Sequence, residues 1–205
     1  MDRKQHWESV YQNKAVDSVS WYQDCPVASL ELIEKSGIGL AADIIDVGAG
    51  ASMLEDYLLE KGYKNITVLD ISATAIEHAK ERLGDKAGKV RWVVSDITQF
   101  QSSTSFQLWH DRAVFHFLTD PEDRARYLER LTKYLAPGGW FLLATFGIGG
   151  PTKCSGLEVV QYDSSSIQAF LGEQFQLVEE RFEEHITPGN DKQKFNFFLF
   201  RYHAS

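Results

Sequence analysis

The sequence predicts an α/β three-layer sandwich, in which helices cover both faces of a mostly parallel sheet that ends in an antiparallel hairpin. Two observations support this prediction. From residue 43 to residue 146, short apolar runs alternate with amphipathic stretches through short connections, as is typical of parallel strands joined by helices. After residue 150 two alternating segments are joined by the turn sequence Pro188-Gly-Asn190, which predicts a hairpin.

The first two predicted strands are each followed by a helix. Residues 43–47 (DIIDV) form the first apolar run, and a helical pattern follows it. The second strand, residues 66–69, ends at Asp70. Ser72 is then a predicted helix N-cap, and Gly84 is typical of the end of the helix that follows.

Three further strands complete the parallel part of the predicted sheet. Residues 90–94 and 106–109 form the third and fourth apolar runs, and residues 140–146 form the fifth. A helix precedes the fifth strand. Asp120 is its predicted N-cap, and Pro121 occupies its first position, where proline is favoured.

The C-terminal part changes from parallel to antiparallel structure. We predict a strand over residues 157–162, a short helix over residues 164–171, and hairpin strands over residues 175–187 and 194–203. The many charged residues of the first hairpin strand indicate an exposed edge of the sheet.

The composition indicates an ordinary globular protein of one domain. Of its 205 residues, 43% are hydrophobic and 24% are charged. The net charge of −8 argues against a nucleic-acid partner, because phosphate binding requires a basic surface. No apolar run is long enough to span a membrane, and the N-terminal residues lack the apolar region of a signal peptide.

The cysteines give an expectation about location. Cys25 and Cys154 lie far apart in the sequence and form no C-x-x-C pattern. A disulfide framework is therefore not expected. We predict a cytoplasmic protein with no membrane partner.

A turn with two spaced glycines follows the first strand. In residues 43–52 (DIIDVGAGAS), Gly48 and Gly50 allow the backbone to pass close to a ligand without a Cβ atom in the way. The amides at the start of the next helix favour a negative group. A dinucleotide fingerprint would have a third glycine where Met53 stands, so a pyrophosphate cofactor is disfavoured.

Three acids lie at the ends of consecutive strands. Asp46, Asp70 and Asp96 share the carboxyl edge of the predicted sheet, where ligands bind in open α/β folds. Asp70 lies about 20 residues after Gly48, where a carboxylate can accept hydrogen bonds from ribose hydroxyls. Asp96 is placed to contact the edge of an adenine. The alternative is a plain tight turn at Gly48 and Gly50, with Asp70 and Asp96 as strand-end caps, but three acids on one edge favour a ligand site.

Four segments together resemble the class I S-adenosylmethionine-dependent methyltransferases. They are residues 44–52 (IIDVGAGAS, the first motif), 68–72 (VLDIS, the second), 94–100 (VSDITQF, the adenine side) and 135–146 (LAPGGWFLLATF, the fifth strand). Ser52 stands where the family often has a third glycine. The resemblance spans residues 40–146 and implies a Rossmann-like, seven-stranded sheet that ends in an antiparallel hairpin.

The resemblance also implies how one domain over residues 1–205 is organised. Residues 1–28 form an N-terminal lid segment, and residues 40–146 form the cofactor-binding core. Residues 147–205 supply a substrate loop and the C-terminal hairpin.

The implied cofactor is S-adenosylmethionine, with S-adenosylhomocysteine as the product. The resemblance places Asp46 and Gly48 beside the methionine moiety and Asp70 on the ribose hydroxyls. It places Asp96 and the Ile97 amide on the adenine. The other implied cofactor residues are Trp21 and Tyr22 in a roof over the methionine end, together with Gly50, Ser52, Ile71 and His110.

Polar residues after the fourth strand are the catalytic candidates. Methyl transfer from a sulfonium is an in-line displacement, in which the protein mainly aligns the reacting atoms and excludes water. A base is needed only for a protonated nucleophile. His110, Asp111, Arg112 and His116 occupy the substrate-facing position of the resembled family. The alternatives are a structural Asp111–Arg112 ion pair and a buried structural His116.

Loops of the resembled fold could bring Cys154, His116 and His185 together. Such a set would suit a soft metal or metalloid. The spacing matches no zinc motif, so we favour a buried cysteine and a surface histidine and predict no metal site.

The predicted function is methyl transfer from S-adenosylmethionine to a small-molecule acceptor, because the chain carries little beyond the core. A protein lysine is the alternative acceptor, since the N-terminal segment (HWESVYQ) and Asp111-Arg112 resemble small lysine methyltransferases. Another alternative is a non-catalytic module that binds S-adenosylmethionine. The Asn/Asp-Pro-Pro-aromatic signature of base and amide methylation is missing, and Met53 disfavours an NAD-dependent oxidoreductase.

Overall fold

A computed structural model describes residues 2–50 and 52–204. Its central element is a seven-stranded sheet. The strands of this sheet are β1 (Asp43–Val47), β2 (Asn65–Asp70), β3 (Val90–Val94), β4 (Phe106–Arg112), β5 (Leu135–Phe146), β8 (Phe175–Ile186) and β9 (Lys192–Tyr202). Their order across the sheet is β3-β2-β1-β4-β5-β9-β8. Strands β1 to β5 run parallel, and β9 is antiparallel to both β5 and β8. The predicted sheet, with its C-terminal antiparallel hairpin, is confirmed.

Helices flank the sheet, and their ends follow the sequence signals. The Ser72 hydroxyl accepts a hydrogen bond from the Ala75 amide at 3.1 Å, and Gly84 follows the last residue of that helix. Asp120 caps its helix, with Pro121 at the first position. The α-helices are α1 (Arg3–Asn13), α2 (Val27–Ser36), α3 (Leu54–Glu60), α4 (Ala73–Leu83), α5 (Pro121–Tyr134) and α6 (Ser164–Leu171), and short 3-10 helices span Val16–Ser18, Gly84–Lys89, Ile97–Gln99 and Phe115–Phe117.

Both faces of the sheet are buried. On one face Trp109 and Phe141 belong to a core shared with α5 and α6. On the other face Leu108 and Leu142 belong to a core shared with α2 and α3. Consecutive strand residues thus lie in opposite layers, as expected of the α/β three-layer sandwich that the sequence predicts.

Two strands are longer than predicted. β4 continues to Arg112 because its last residues pair with β5, Arg112 opposite Ala144. β5 already begins at Leu135, which pairs with Phe106 beside a bulge. The residues just before Arg112 are therefore part of a strand, so their side chains alternate between the two faces of the sheet.

The predicted strand over residues 157–162 is wrong for most of its length. Only Leu157–Glu158 (β7) is a strand, and it pairs with Lys153–Cys154 (β6) in a separate two-stranded sheet. Beyond it, the Val160 amide donates to the main-chain oxygen of His116 at 2.8 Å. The segment therefore packs over the end of the parallel sheet.

No helix within the described ranges combines the length and the apolar composition needed to cross a membrane. The division into lid, core and substrate segments stays a prediction, as do the cytoplasmic location and the exclusion of nucleic acid.

Candidate active site

A cleft opens at the carboxyl edge of the sheet. Its lining is mostly apolar and aromatic with a few polar side chains, as is typical of small-molecule sites. Its acid end lies over β2 and β3 and its aromatic end over β5 and β9. The acid end is lined by Asp70, Ile71, Asp96 and Ile97, and the aromatic end by Phe117, Phe146, Cys154 and Phe195.

A smaller side pocket adjoins the cleft over β1 and β4. The residues that line only the side pocket include Ser29, Asp46, Ser52 and His110. Gly48, Trp21 and Arg112 line both the cleft and the side pocket. The structure therefore brings most of the predicted cofactor residues to one edge of the sheet.

The turn after β1 requires glycine at positions 48 and 50. Gly48 and Gly50 have φ values of +64° and +56°, a conformation that other residues adopt at a cost. A Cβ atom on Gly48 would lie 1.9 Å from Val114 Cγ2, and one on Gly50 would lie 2.2 Å from the Tyr11 hydroxyl. The turn therefore packs tightly under the exit of β4 and under α1.

Asp70 ends β2 as predicted, and its carboxylate is buried. Oδ1 accepts a hydrogen bond from the Ser72 amide at 2.8 Å. Burial raises the pKa of Asp70 to about 7, although amide hydrogen bonds from Ser72 and Gly50 act in the opposite direction. Asp70 therefore changes charge near neutral pH.

Asp96 is both a cap and a residue that lines the cleft, the two roles that the sequence left open. Its Oδ1 accepts hydrogen bonds from the Thr98 amide and hydroxyl at 2.8 and 2.7 Å, so it caps the 3-10 helix Ile97–Gln99. Its Oδ2 lies 3.3 Å from the Arg3 guanidinium. Asp96 lines the acid end as well, so the cap also contributes to the cleft.

Asp46, His110 and Ser29 form a buried chain of polar contacts in the side pocket. His110 Nδ1 lies 2.6 Å from Asp46 Oδ1, and His110 Nε2 lies 2.9 Å from Ser29 Oγ. Asp46 Oδ2 is buried and has no partner among the described residues. Ser29 was not among the predicted residues, and its position on the buried side of α2 is the only local signal for it.

The Arg112 guanidinium lies between the cleft and the side pocket. Its Nη1 donates to the main-chain oxygen of Trp21 at 2.9 Å, and its carbon Cζ lies 4.7 Å from the centroid of the Phe195 ring. Burial lowers the pKa of Arg112 to about 10. The side chain therefore keeps its positive charge at neutral pH.

Asp111 lies on the opposite face of the sheet from His110 and Arg112. Its Oδ2 accepts the Tyr127 hydroxyl at 2.6 Å, and its Oδ1 accepts the Val114 amide at 2.9 Å. It is fully buried. Because side chains alternate along β4, residues 110–112 do not form the predicted cluster. Asp111 and Arg112 also do not form an ion pair. We therefore assign Asp111 a structural role.

His116 also lies away from the cleft surface. It is fully buried, and its Nδ1 accepts the Phe146 amide at 3.2 Å. Burial lowers the pKa of His116 to about 3, and the Arg112 charge acts in the same direction. The imidazole is thus neutral and holds the end of β5, which replaces the predicted catalytic role by the structural alternative.

Cys154 and His185 approach the same residue but do not form a metal centre. Cys154 Sγ lies 3.9 Å from Ser20 Oγ, and His185 Nε2 lies 2.8 Å from the main-chain oxygen of Ser20. Within the described ranges, no group of three His, Cys, Asp or Glu side chains is arranged to hold a metal ion. The thiol lines the aromatic end, and burial raises its pKa.

Helix α1 and the segment after it form a roof over the cleft. The Trp7 and Trp21 rings lie 5.6 Å apart, and Trp7 contacts Phe117 at 5.0 Å. Glu8 fastens this roof to the first turn of α4, where its carboxylate accepts the Ala73 amide at 2.8 Å and the Ser72 hydroxyl at 2.9 Å. Glu8 was not predicted, because nothing in the sequence relates it to α4. The Tyr22 hydroxyl donates to Asp24 at the margin of the side pocket, away from the cleft.

Comparison with known proteins fits this geometry. Residues 44–139 match the family described as a methyltransferase domain. Over this range the chain is similar to the class I S-adenosylmethionine-dependent methyltransferases. The chain also has the fold of the 1,6-didemethyltoxoflavin-N1-methyltransferase of Burkholderia thailandensis, which was solved with 1,6-didemethyltoxoflavin and S-adenosylhomocysteine bound. The TM-score is 0.74 at 20% identity, over 98% of this chain and 87% of that one.

Curated relatives of the chain differ in their named acceptors. It is 26% identical over 132 residues to a malonyl-(acyl-carrier protein) O-methyltransferase of Ilyobacter polytropus. It is 29% identical over 145 residues to an eEF1A lysine and N-terminal methyltransferase of Danio rerio. The matches cover 62% and 68% of this chain, which spans about half (49%) of the first relative and about a fifth (21%) of the second.

Proposed function

We propose that this protein transfers the methyl group of S-adenosylmethionine to a small-molecule acceptor at the aromatic end of the cleft. The lining of the cleft carries the proposal. Trp7, Tyr11 and Trp21 line its roof, and apolar aromatic side chains line the end that remains beyond the cofactor residues. Enclosed, mostly apolar sites with a few polar groups are typical of small ligands.

The residues present fit the parts of the cofactor. Asp70 would accept hydrogen bonds from the ribose hydroxyls, and Asp96 with the Ile97 amide would contact the adenine. The unpartnered Asp46 Oδ2 in the side pocket would accept a hydrogen bond from the methionine ammonium. A buried carboxylate oxygen without a donor is costly, so a cationic ligand group at this position would stabilise the site.

When bound, S-adenosylmethionine supplies an electrophilic methyl carbon, whose bonding pair returns to sulfur as the acceptor's lone pair forms the new bond. The chain contributes alignment of the acceptor and exclusion of water. Trp7 and Trp21 support the second contribution, because their edge-to-face contact holds the roof over the cleft.

Among the residues that the structure describes, the aromatic end offers no general base. Of the described residues that line it, together with the adjoining Arg112, only Arg112 and Cys154 are titratable. Arg112 is a cation, and burial raises the pKa of the Cys154 thiol. An acceptor whose nucleophile is unprotonated at neutral pH needs no base, whereas a lysine ammonium must first lose a proton. This favours a small molecule over the lysine alternative.

Calorimetric titration with S-adenosylhomocysteine, followed by a transfer assay with isotopically labelled S-adenosylmethionine, tests the proposal. The assay uses a metabolite panel and a cell lysate, with products separated by mass. Label on a small molecule supports the proposal, and label on a protein band supports the lysine alternative. Cofactor binding without any transfer supports the non-catalytic module, and binding of NAD in place of S-adenosylhomocysteine overturns the assignment.

A further inference from the structure

Arg112 has two hydrogen-bond donors without a partner in the described structure. Nη1 donates to Trp21, but Nε and Nη2 are buried and unpaired. A buried cation with unpaired donors is destabilised, because the hydration it loses is not replaced. An anionic partner at these two atoms would remove this cost.

The two unpaired donors belong to one edge of the guanidinium. Nε–H and one Nη2–H point in parallel, and this fork matches the two oxygens of a carboxylate. A doubly charged phosphate would need further cationic donors. Of the described residues that line the cleft, Arg3 is the other cation, and it is paired with Asp96 and Asp123. The single free fork therefore fits a carboxylate best.

The position of the fork indicates the acceptor as the source of the carboxylate. The guanidinium lies over Phe195, which lines the aromatic end and not the side pocket. Along β4, Arg112 is two residues beyond His110, which lies opposite Asp46, so it is about 7 Å further along the strand at about 3.3 Å per residue. The fork is thus displaced from the predicted methionine site towards the acceptor.

We propose that the methyl acceptor carries a carboxylate that pairs with Nε and Nη2 of Arg112 while its apolar body packs at the aromatic end. This inference rests on the proposed methyl transfer. Both groups are ionised at neutral pH, so the pairing moves no proton. Both nitrogens lack contact with solvent in this arrangement, so the proposal requires the side chains around the guanidinium to rearrange when the acceptor enters.

Matched acids and amides test this inference. The wild-type protein, loaded with S-adenosylhomocysteine, is titrated by calorimetry with 3-phenylpropanoate and hexanoate and with their primary amides. We expect the acids to bind at least about tenfold more tightly than the amides, because a charge-assisted bidentate pair is among the stronger protein hydrogen bonds. Equal affinity of acids and amides for the wild-type protein would overturn the inference.

Arg112→Gln is the test variant, and Arg201→Gln is its control. Arg201 also lies over an aromatic ring, with its guanidinium carbon 4.6 Å from the Trp140 centroid, but it does not line the cleft. The preference for acids should disappear in Arg112→Gln and persist in Arg201→Gln. Arg112→Lys keeps the charge without the fork and should retain only part of the preference, which keeps the test valid if Arg112→Gln folds poorly.

The affinity for S-adenosylhomocysteine shows whether the carboxylate on Arg112 belongs to the acceptor or to the cofactor itself. We expect Arg112→Gln to bind S-adenosylhomocysteine with nearly wild-type affinity. If that affinity falls about tenfold, a loss of about 1.4 kcal/mol, while 5′-methylthioadenosine binds unchanged, the fork serves the cofactor's own carboxylate and the inference is wrong. A wild-type protein that binds no S-adenosylhomocysteine contradicts the proposed function instead, and acid–amide titration of the unloaded protein then still reports on Arg112.

Discussion

His110 Nδ1 lies 2.6 Å from Asp46 Oδ1, and the two residues occupy opposite positions on the neighbouring strands β4 and β1. Two central strands therefore fix this contact, and Ser29 fixes the other side of the imidazole. The imidazole occupies one carboxylate oxygen and leaves Oδ2 free. We infer that His110 and Ser29 are positioning residues, which orient Asp46 towards the cofactor.

Removal of the imidazole should weaken cofactor binding. We expect His110→Ala to reduce the affinity for S-adenosylhomocysteine by about 1–2 kcal/mol and Ser29→Ala by about 0.5–1 kcal/mol, since Asp46 loses the group that orients it. Calorimetry measures the affinity and thermal unfolding the stability. His203→Ala is the control, because the His203 side chain is exposed and its Nε2 lies 3.2 Å from Oε1 of the surface residue Gln176. A lower Tm with unchanged affinity would make the polar chain purely structural.

The affinity for S-adenosylhomocysteine should increase with pH through neutrality. Burial raises the pKa of Asp70 to about 7. Protonated Asp70 therefore stabilises the folded protein. This contribution is fully present below the pKa that Asp70 has in the unfolded chain, and it is lost as the pH rises through about 7. Ribose hydroxyls donate to the ionised form, so binding should tighten from about pH 6 to about pH 8.

Asp70→Asn is the variant that checks this pH dependence. It should bind about 1–3 kcal/mol more weakly at high pH, because one acceptor for the ribose hydroxyls is lost. Its affinity should be nearly independent of pH over the same interval. A wild-type slope that persists in Asp70→Asn would assign the titration to another group.

The roof should loosen when Glu8 loses its charge. Burial acts to raise the pKa of Glu8, but hydrogen bonds from Thr74, Ala73 and Ser72 outweigh it and lower the pKa below its usual value of 4.5. The contribution of Glu8 to stability is therefore present above that value and is lost as the pH falls below it. At neutral pH, Glu8→Gln should weaken the docking of α1 on α4 by about 1 kcal/mol, since a carboxylate at the N-terminus of α4 is replaced by a neutral group.

Fluorescence of the roof tryptophans and titration with S-adenosylhomocysteine measure this effect. Glu77→Gln is the matched control, because Glu77 also lies on α4 but its carboxylate pairs with Lys80 at the surface of that helix. Equal effects of the two substitutions would show that the charge of α4, and not the contact with α1, is responsible.

The sequence predicts local features well and contacts between distant elements poorly. Ser72, Asp120 and the paired glycines act on neighbouring backbone groups, so their spacing alone identifies helix ends and the turn. The face of the sheet on which the Asp111 side chain lies depends on how far β4 pairs with β5. No local sequence pattern indicates the extent of this pairing. Glu8 and Ser29 reach the site from helices whose docking is decided by packing, and their residue types are ordinary for exposed and buried helix positions.

Gly48→Ala should destabilise the turn by more than backbone strain alone. The added Cβ atom would overlap Val114 in addition to adopting a positive φ. Gly37→Ala is the control, because Gly37 has a φ of +68° with no atom within 4 Å of the added Cβ. We expect about 1–2 kcal/mol for the control, the usual cost of a left-handed alanine, and a larger loss for Gly48→Ala in denaturant titrations. Val114→Ala should recover part of that excess, and a failure to do so would exclude the overlap as its cause.

Asp111→Asn should lower stability and leave cofactor affinity unchanged. Asp111 accepts hydrogen bonds from Tyr127 and from two amides away from the cleft, and an amide side chain would leave one of these buried donors unpaired, at about 1–3 kcal/mol. Burial raises the pKa of Asp111 to about 6, against these hydrogen bonds. Protonated Asp111 therefore stabilises the folded protein. This contribution is fully present below the pKa that Asp111 has in the unfolded chain, about 3.9, and it is lost as the pH rises through about 6.

The variant should remove that part of the pH dependence of unfolding, measured by denaturant titration between about pH 4 and pH 6. Tyr127→Phe provides an independent check, because it removes one donor and keeps the carboxylate. Since neither change touches the cleft, S-adenosylhomocysteine should bind both folded variants as it binds the wild-type protein. A loss of methyl transfer in Asp111→Asn at unchanged Tm would return Asp111 to the catalytic residues, which its position behind β4 argues against.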